Sequence, residues 1–303
     1  MSKQLDPWIN DVTFHNDVQY IESLWHQTPL GSAELPVIDI GRGVPVVFVP
    51  ILEHLEFVYA RQMQVLSRSR RVLLYRRQER RKTFFGLSER AEELRQVLDG
   101  LELDQVDLVA HGDAAMVLFE FALRYPQRCR SLTIIAQGAD YRIAPHPLIW
   151  WLHELYIRLP VEYVLPASFL RTAVINYILS HDHDNRTRPA LPRHLLEEQF
   201  AKISQWPAVY KFSVLPIIHF FNIRKRLSGL TMPILVINRA DDALAPEAKT
   251  RWLAKHLPNC ASYHVVSGRE RFFMYSRAET VTPLIEAFLL TRNQRRSPLK
   301  QLQ

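Results

Sequence analysis

Three short stretches carry side chains able to do chemistry. The first is VDLVAHGDAAMVLFEFALRYP, residues 106–126. It reads as a strand, a sharp turn and a helix, which sets His111, Gly112 and Asp113 at a helix N-terminus. Backbone N–H groups there favour negative charge. An imidazole and a carboxylate at such a turn are candidates for proton transfer. Their plainer roles are packing for His111 and helix capping for Asp113. The second stretch is HDHDN, residues 181–185, which alternates metal-capable groups. No second half accompanies it, so a solvated turn is the plainer reading. The third is RRQERRK, residues 76–82, with five basic side chains and one acid. It reads as solvated charge, or as a hold for a phosphate group of a ligand or lipid.

These residues must be positioned by a scaffold. PVVFVP, RVLLY, VDLVAH, SLTIIA, PILVIN and SYHVVS are short β-branched runs that predict strands. LSERAEELRQVLDGL predicts an amphipathic helix, with Leu87, Ala91, Leu94, Val97 and Leu98 on one face and acids on the other. Ser88 is its expected N-cap. AAMVLFEFALRYP, PEAKTRWLAKHL and ETVTPLIEAFLL are further helices. Strands alternating with helices imply a parallel sheet covered on both faces. The alternation stops between Asp140 and Leu230. PHPLIWWLHELYIRLPVEYVLPASFLRTAVINYIL is helical, aromatic and punctuated by proline.

Composition narrows the classes. A length of 303 residues suits one domain with an insertion, and 48% apolar content supports a large core. No 18-residue apolar run is free of charge, which argues against a transmembrane helix. MSKQLDPWIN lacks the apolar centre of a signal peptide. Two cysteines make no disulfide framework, so a reducing, cytoplasmic setting is expected. The net charge of +7 favours anionic partners in a general way. Zinc-finger spacing, an aromatic RNA-binding signature and a basic heptad helix are all missing, so no specific nucleic-acid partner is expected. Nothing calls for a cofactor or a metal.

In this order of elements the chain resembles the α/β-hydrolase family over about residues 36–290. The strings GRGVPVVFV, FALRYPQRCRSLTIIA, LTMPILVINRADDALAP and AETVTPLIEAFLL carry the likeness. It implies an α/β-hydrolase fold: a mostly parallel, doubly wound sheet with an inserted helical cap. The core would be residues 1–140 and 230–303, and the cap residues 141–229.

In that family the turn after this strand is a nucleophile elbow of the form Gly-x-Ser-x-Gly. The aligned string Ala110-His111-Gly112-Asp113-Ala114 puts Gly112 at the nucleophile position. The family's acid falls on Asp242 in NRADDALAP. Its histidine falls on Arg271, within Gly268-Arg269-Glu270-Arg271-Phe272-Phe273. Arginine holds its proton near neutral pH and cannot act as a base. An Asp242–Arg271 ion pair is expected where relatives pair Asp with His. The first loop replaces His-Gly with Val49-Pro50, and proline has no N–H to offer an oxyanion. RRQERRKTF stands where relatives carry a glycine-bearing Asp-x-Arg-Gly-x-Gly-x-Ser string. The chain's 9 glycines are about half the usual share, and the missing ones come largely from these loops.

Two functions follow from the resemblance. One is a non-hydrolytic member that binds a small apolar ligand or a partner protein, with Val49, Pro50, Trp150 and Trp151 lining the site. The other is an active enzyme of the superfamily, a hydrolase, lyase or isomerase, with a non-standard site around His111, Asp113 and Asp242. Some relatives attack with aspartate, but from the position of Gly112 rather than Asp113. Glu53, His54 and Glu56 fall near the pocket mouth, with an exposed helical surface as the default reading. Trp150, Trp151, Tyr156, Tyr163 and Phe169 suit an apolar pocket, a peripheral membrane contact or ordinary packing.

Overall fold

A computed structural model describes residues 9–30, 33–141, 147–160, 163, 166–179, 191–203, 206, 208–219, 221–240, 242, 245–267 and 271–294. The β-branched runs build an eight-stranded sheet of order β1-β2-β4-β3-β5-β6-β7-β8. The strands are β1 (His26–Leu30), β2 (Ala33–Ile40), β3 (Pro45–Phe48), β4 (Arg71–Tyr75), β5 (Val106–His111), β6 (Cys129–Ile135), β7 (Ile234–Arg239) and β8 (Cys260–Val266). β1 and β2 pair antiparallel at one edge, and β2 also runs antiparallel to β4. From β4 to β8 every pairing is parallel. All six residues of β5 and of β7 are buried, as strands covered on both faces must be.

The helices are α1 (Asp11–Leu24), α2 (Ala60–Leu66), α3 (Leu87–Gly100), α4 (Asp113–Arg124), α5 (Pro147–Arg158), α6 (Ala167–Leu179), α7 (Arg193–Lys202), α8 (Leu215–Ile218), α9 (Glu247–His256), α10 (Phe273–Ser276) and α11 (Ala278–Gln294). Four of them, α5 to α8, intervene between β6 and β7. A π-helical turn, Tyr210–Val214, leads into α8. This turn is stitched to the loop after β4. Phe85 N–H donates to Phe212 O at 2.9 Å, Arg80 N–H donates to Ser213 Oγ at 2.5 Å, and the Ser213 hydroxyl donates back to Arg80 O at 3.1 Å.

Helix α3 differs from expectation in two ways. The N-cap of α3 is Gly86 rather than Ser88, and its N–H is held by the Glu89 carboxylate at 3.1 Å. The polar residues of α3 are not all on its outer face, since Arg90 and Glu93 are buried and paired at 3.0 Å. The order 4-3-5 places β3 between its two parallel neighbours. In open α/β sheets ligands settle beyond the carboxyl ends of the strands at such a reversal.

Candidate functional site

The turn after β5 is sharp. Gly112 has φ 61° and ψ −126° and sits at the N-cap of α4. Its N–H donates to Ile135 O at 2.9 Å, and its own carbonyl accepts from Ala115 N–H at 3.0 Å. A Cβ is costly in this backbone region, and glycine is not penalised. His111, the last residue of β5, is buried. Its Nε2 lies 2.8 Å from Arg271 O. Burial, reinforced by the charge of Arg271, pushes the imidazole down to about 3. It is therefore neutral near pH 7, and Nε2–H donates to that carbonyl. The backbone N–H of His111 donates to the Tyr59 hydroxyl at 3.3 Å, and Tyr59 donates to Val49 O at 2.8 Å.

Asp242 follows β7 and is buried. It accepts from Ala245 N–H at 2.9 Å and from Arg271 Nη1 at 3.2 and 3.5 Å, with Arg239 Nε at 3.7 Å. Burial alone would raise its pKa. The Arg271 charge, the Ala245 N–H and Arg239 outweigh burial and hold it low. Arg271 Nη2 donates to Ala136 O at 3.4 Å, where the chain leaves β6 with a positive φ of 55°. The same guanidinium lies over the turn: a Cβ built on Gly112 would stand 3.0 Å from Arg271 Nη2. Gly112, Asp242, Arg271 and His111 are thus brought to one place.

The first loop lies alongside. Val49 N–H donates to Val109 O at 2.9 Å and extends the pairing of β3 with β5 by one residue. Pro50, Ile51 and Leu52 are buried beyond it. The expectation of an exposed helical surface at residues 53–56 is corrected here. Glu56 is fully buried against Arg76 at 3.3 Å, and burial pushes its carboxyl up to about 7. His54 bends the chain with φ 65°, and the half-buried carboxyl of Glu53 is also raised, first by burial. Trp151, expected to line the site, is 59% exposed, so its ring lies in solvent. Trp150 belongs to α5, and its side chain lies outside the described residues. The HDHDN stretch, residues 181–185, also lies outside them. Tyr163 and Phe169 are exposed, at 81% and 63%.

The tract at residues 76–82 was expected to be solvated, and part of it is not. The side chains of Arg77 and Glu79 are 1% and 2% exposed and pair at 2.5 Å. Arg90 links Glu79, at 3.3 Å, to Glu93. Arg77 Nη1 stands 3.6 Å from Asp113 Oδ2, a contact too long for a hydrogen bond. Both Arg77 Nη atoms are buried and have no hydrogen-bond acceptor among the described residues. Sequence reasoning named the tract that holds Arg77 but did not single this residue out. Its one signal was a charged tract lying where relatives carry glycine.

No protein-family model matches the chain. It is 28% identical over 208 residues to a poly(3-hydroxyalkanoate) depolymerase of Ectopseudomonas oleovorans, a match spanning 66% of each chain. It is 32% identical over 188 residues to a 2-hydroxy-6-oxo-2,4-heptadienoate hydrolase of Pseudomonas putida, spanning 59% of this chain and 66% of that one. A thermophilic esterase from Thermogutta terrifontis superposes with a TM-score of 0.71 at 18% identity, over 88% of this chain and 98% of the esterase. The chain is a member of the α/β-hydrolase family.

In an α/β-hydrolase with this turn, the backbone tolerates glycine better than the serine of the family motif. Gly112→Ser is expected to lower stability by about 1–3 kcal/mol through its positive φ, and its Cβ must also displace Arg271. Urea denaturation of the two forms checks this; equal midpoints would contradict the turn geometry. Among the described residues, no cluster of three His, Cys, Asp or Glu side chains is placed to hold a metal ion. No described helix is long and apolar enough to cross a membrane.

Proposed function

We propose that this α/β-hydrolase is a non-hydrolytic member that binds a small apolar ligand at the turn, beneath the helices between β6 and β7, or uses the same face for a partner protein. The observation that carries the reading is the guanidinium of Arg271, seated on Asp242 and over Gly112. Acyl transfer by this family needs a nucleophile at the turn and a base beside it. Gly112 offers no side chain, and a guanidinium takes no proton. His111 is no substitute, because its imidazole is spent on Arg271 O and its basicity is suppressed. Pro50 removes an N–H from the side of the loop where an oxyanion would lie. The free thiols of Cys129 and Cys260 suit a reducing, cytoplasmic setting.

A second reading, an active enzyme using His111, Asp113 and Asp242, draws on the hydrolase names of the relatives. Against it stands the engagement of Asp242 with two arginines. The discriminating experiment is incubation with short p-nitrophenyl esters and with a fluorophosphonate probe. The expected result is no turnover above the buffer rate and no labelled residue. Robust labelling of any residue in the turn would sink the non-hydrolytic reading.

A further inference from the structure

We propose that the turn at Gly112 is a carboxylate-binding site, which takes the acid group of a small apolar-tailed acid between Arg271 and Arg77, over the first turn of α4. The inference rests on the non-hydrolytic reading above and names the ligand class of that site.

Three features converge there. The first is Arg271. A guanidinium carries five N–H groups in a planar fork suited to a carboxylate. Only Nη1 and Nη2 have acceptors among the described residues, and the Nη2 contact to Ala136 O is long at 3.4 Å. Nε, which lies 3.6 Å from the Cβ point of Gly112, has none. The second is α4. Its first two N–H groups, of Asp113 and Ala114, have no partner within the helix, and glycine before them lets a ligand approach the backbone closely. The third is Arg77, which points to a ligand independently of the first two. Its side chain is 1% exposed, its Nε is held by Glu79, and both buried Nη atoms lack a hydrogen-bond acceptor among the described residues, with Nη1 3.6 Å from Asp113 at the start of α4. A buried guanidinium with unmade hydrogen bonds is costly even when its charge is paired, and a carboxylate supplies acceptors for the two unused donors.

The acids near the site leave room for an added anion. Asp242 is engaged by Arg271 and Arg239, while Glu79 and Glu93 are held by Arg77 and Arg90. Asp113 stands beyond hydrogen-bond reach of Arg77 with its side chain 28% exposed, so it can turn outward when an anion seats. Pro50, Ile51 and Leu52, buried in the first loop, are the apolar side chains against which the tail would lie.

The test is calorimetric titration of the full chain with sodium octanoate, octanamide and sodium acetate. Octanoate is expected to bind at least about tenfold more tightly than octanamide and than acetate. Arg271→Leu and Arg77→Met, checked for folding by circular dichroism, are each expected to weaken octanoate by at least about tenfold. If a variant does not fold, the octanoate–octanamide ratio on the natural chain decides alone. Equal affinity for the amide, or no octanoate binding, overturns the carboxylate site; acetate equal to octanoate overturns the apolar tail. These outcomes leave the non-hydrolytic reading standing. Fluorophosphonate labelling would remove that reading whatever octanoate does, so the two failures are distinguishable.

Discussion

Asp242→Ala is expected to destabilise the fold by about 3–5 kcal/mol, the cost of breaking a buried ion pair by removing one partner. The carboxylate sits between two buried guanidinium groups, Arg271 at 3.2 Å and Arg239 at 3.7 Å. Its removal leaves these cations facing one another in a low dielectric and strips the Ala245 N–H of its acceptor. Urea denaturation measures the loss. Arg271→Leu in the same chain removes one of the two neighbouring cations, so the double variant is expected to recover about 1–3 kcal/mol relative to simple addition. A loss under about 1 kcal/mol for Asp242→Ala would mean that the pair is solvated and does not hold Arg271 over the turn. The pH dependence has a definite sign. A carboxylate whose folded pKa is depressed contributes stability above its unfolded value, near 4, and that contribution fades as pH falls below it. The Asp242 contribution is therefore an acid-side one.

What could be read from the sequence follows from which residues are buried and against what. β3 to β7 were legible because parallel strands covered on both faces appear as apolar runs, and edge strand β8, only partly buried, by its β-branched and aromatic residues. β1 and β2 were not. They pair antiparallel at an edge and carry Pro29 and Pro36, which read as breaks in a strand pattern. α1 was missed because its buried face is Phe14, Asp17 and Ile21, and the middle residue is a carboxylate. Asp17 is held by Arg61 at 2.9 Å and by the Tyr275 hydroxyl at 2.8 Å, partners 44 and 258 residues away. No periodicity in one chain reveals such pairing. The same limit hid Arg77, Glu79, Arg90 and Glu93, whose charges are buried by neutralising one another. The turn at Gly112 was legible from strand–turn–helix spacing, whereas Asp242 and Arg271 were pointed to by the family resemblance. That Arg271 lies across the turn was not, since side-chain reach is a property of the fold.

Acid is expected to weaken the natural chain partly through one imidazole, and His111→Gln is expected to remove that part. His111 is buried, and its folded pKa is lowered to about 3, first by burial and then by the Arg271 charge. The unfolded chain binds this proton near pH 6.5. A base depressed on folding contributes stability fully above its unfolded pKa, and loses it as pH falls toward the folded value. Between pH 6.5 and pH 4.5 the His111 share amounts to about 2–3 kcal/mol, at roughly 1.4 kcal/mol per unit. Glu56 opposes it. Its carboxyl is raised to about 7, so its contribution is complete below pH 4.3 and shrinks as pH rises through 7. The total pH profile is therefore a sum of opposing slopes, and only the difference between the natural chain and His111→Gln isolates the imidazole. Glutamine keeps a donor for Arg271 O and does not titrate in this range. Urea midpoints at several pH values are expected to converge for the two chains as pH falls, with the variant losing less. Parallel profiles would mean that His111 is hydrated and far from a fixed cation. That result would remove Arg271 from the turn and, with it, the physical reason for reading this site as non-hydrolytic.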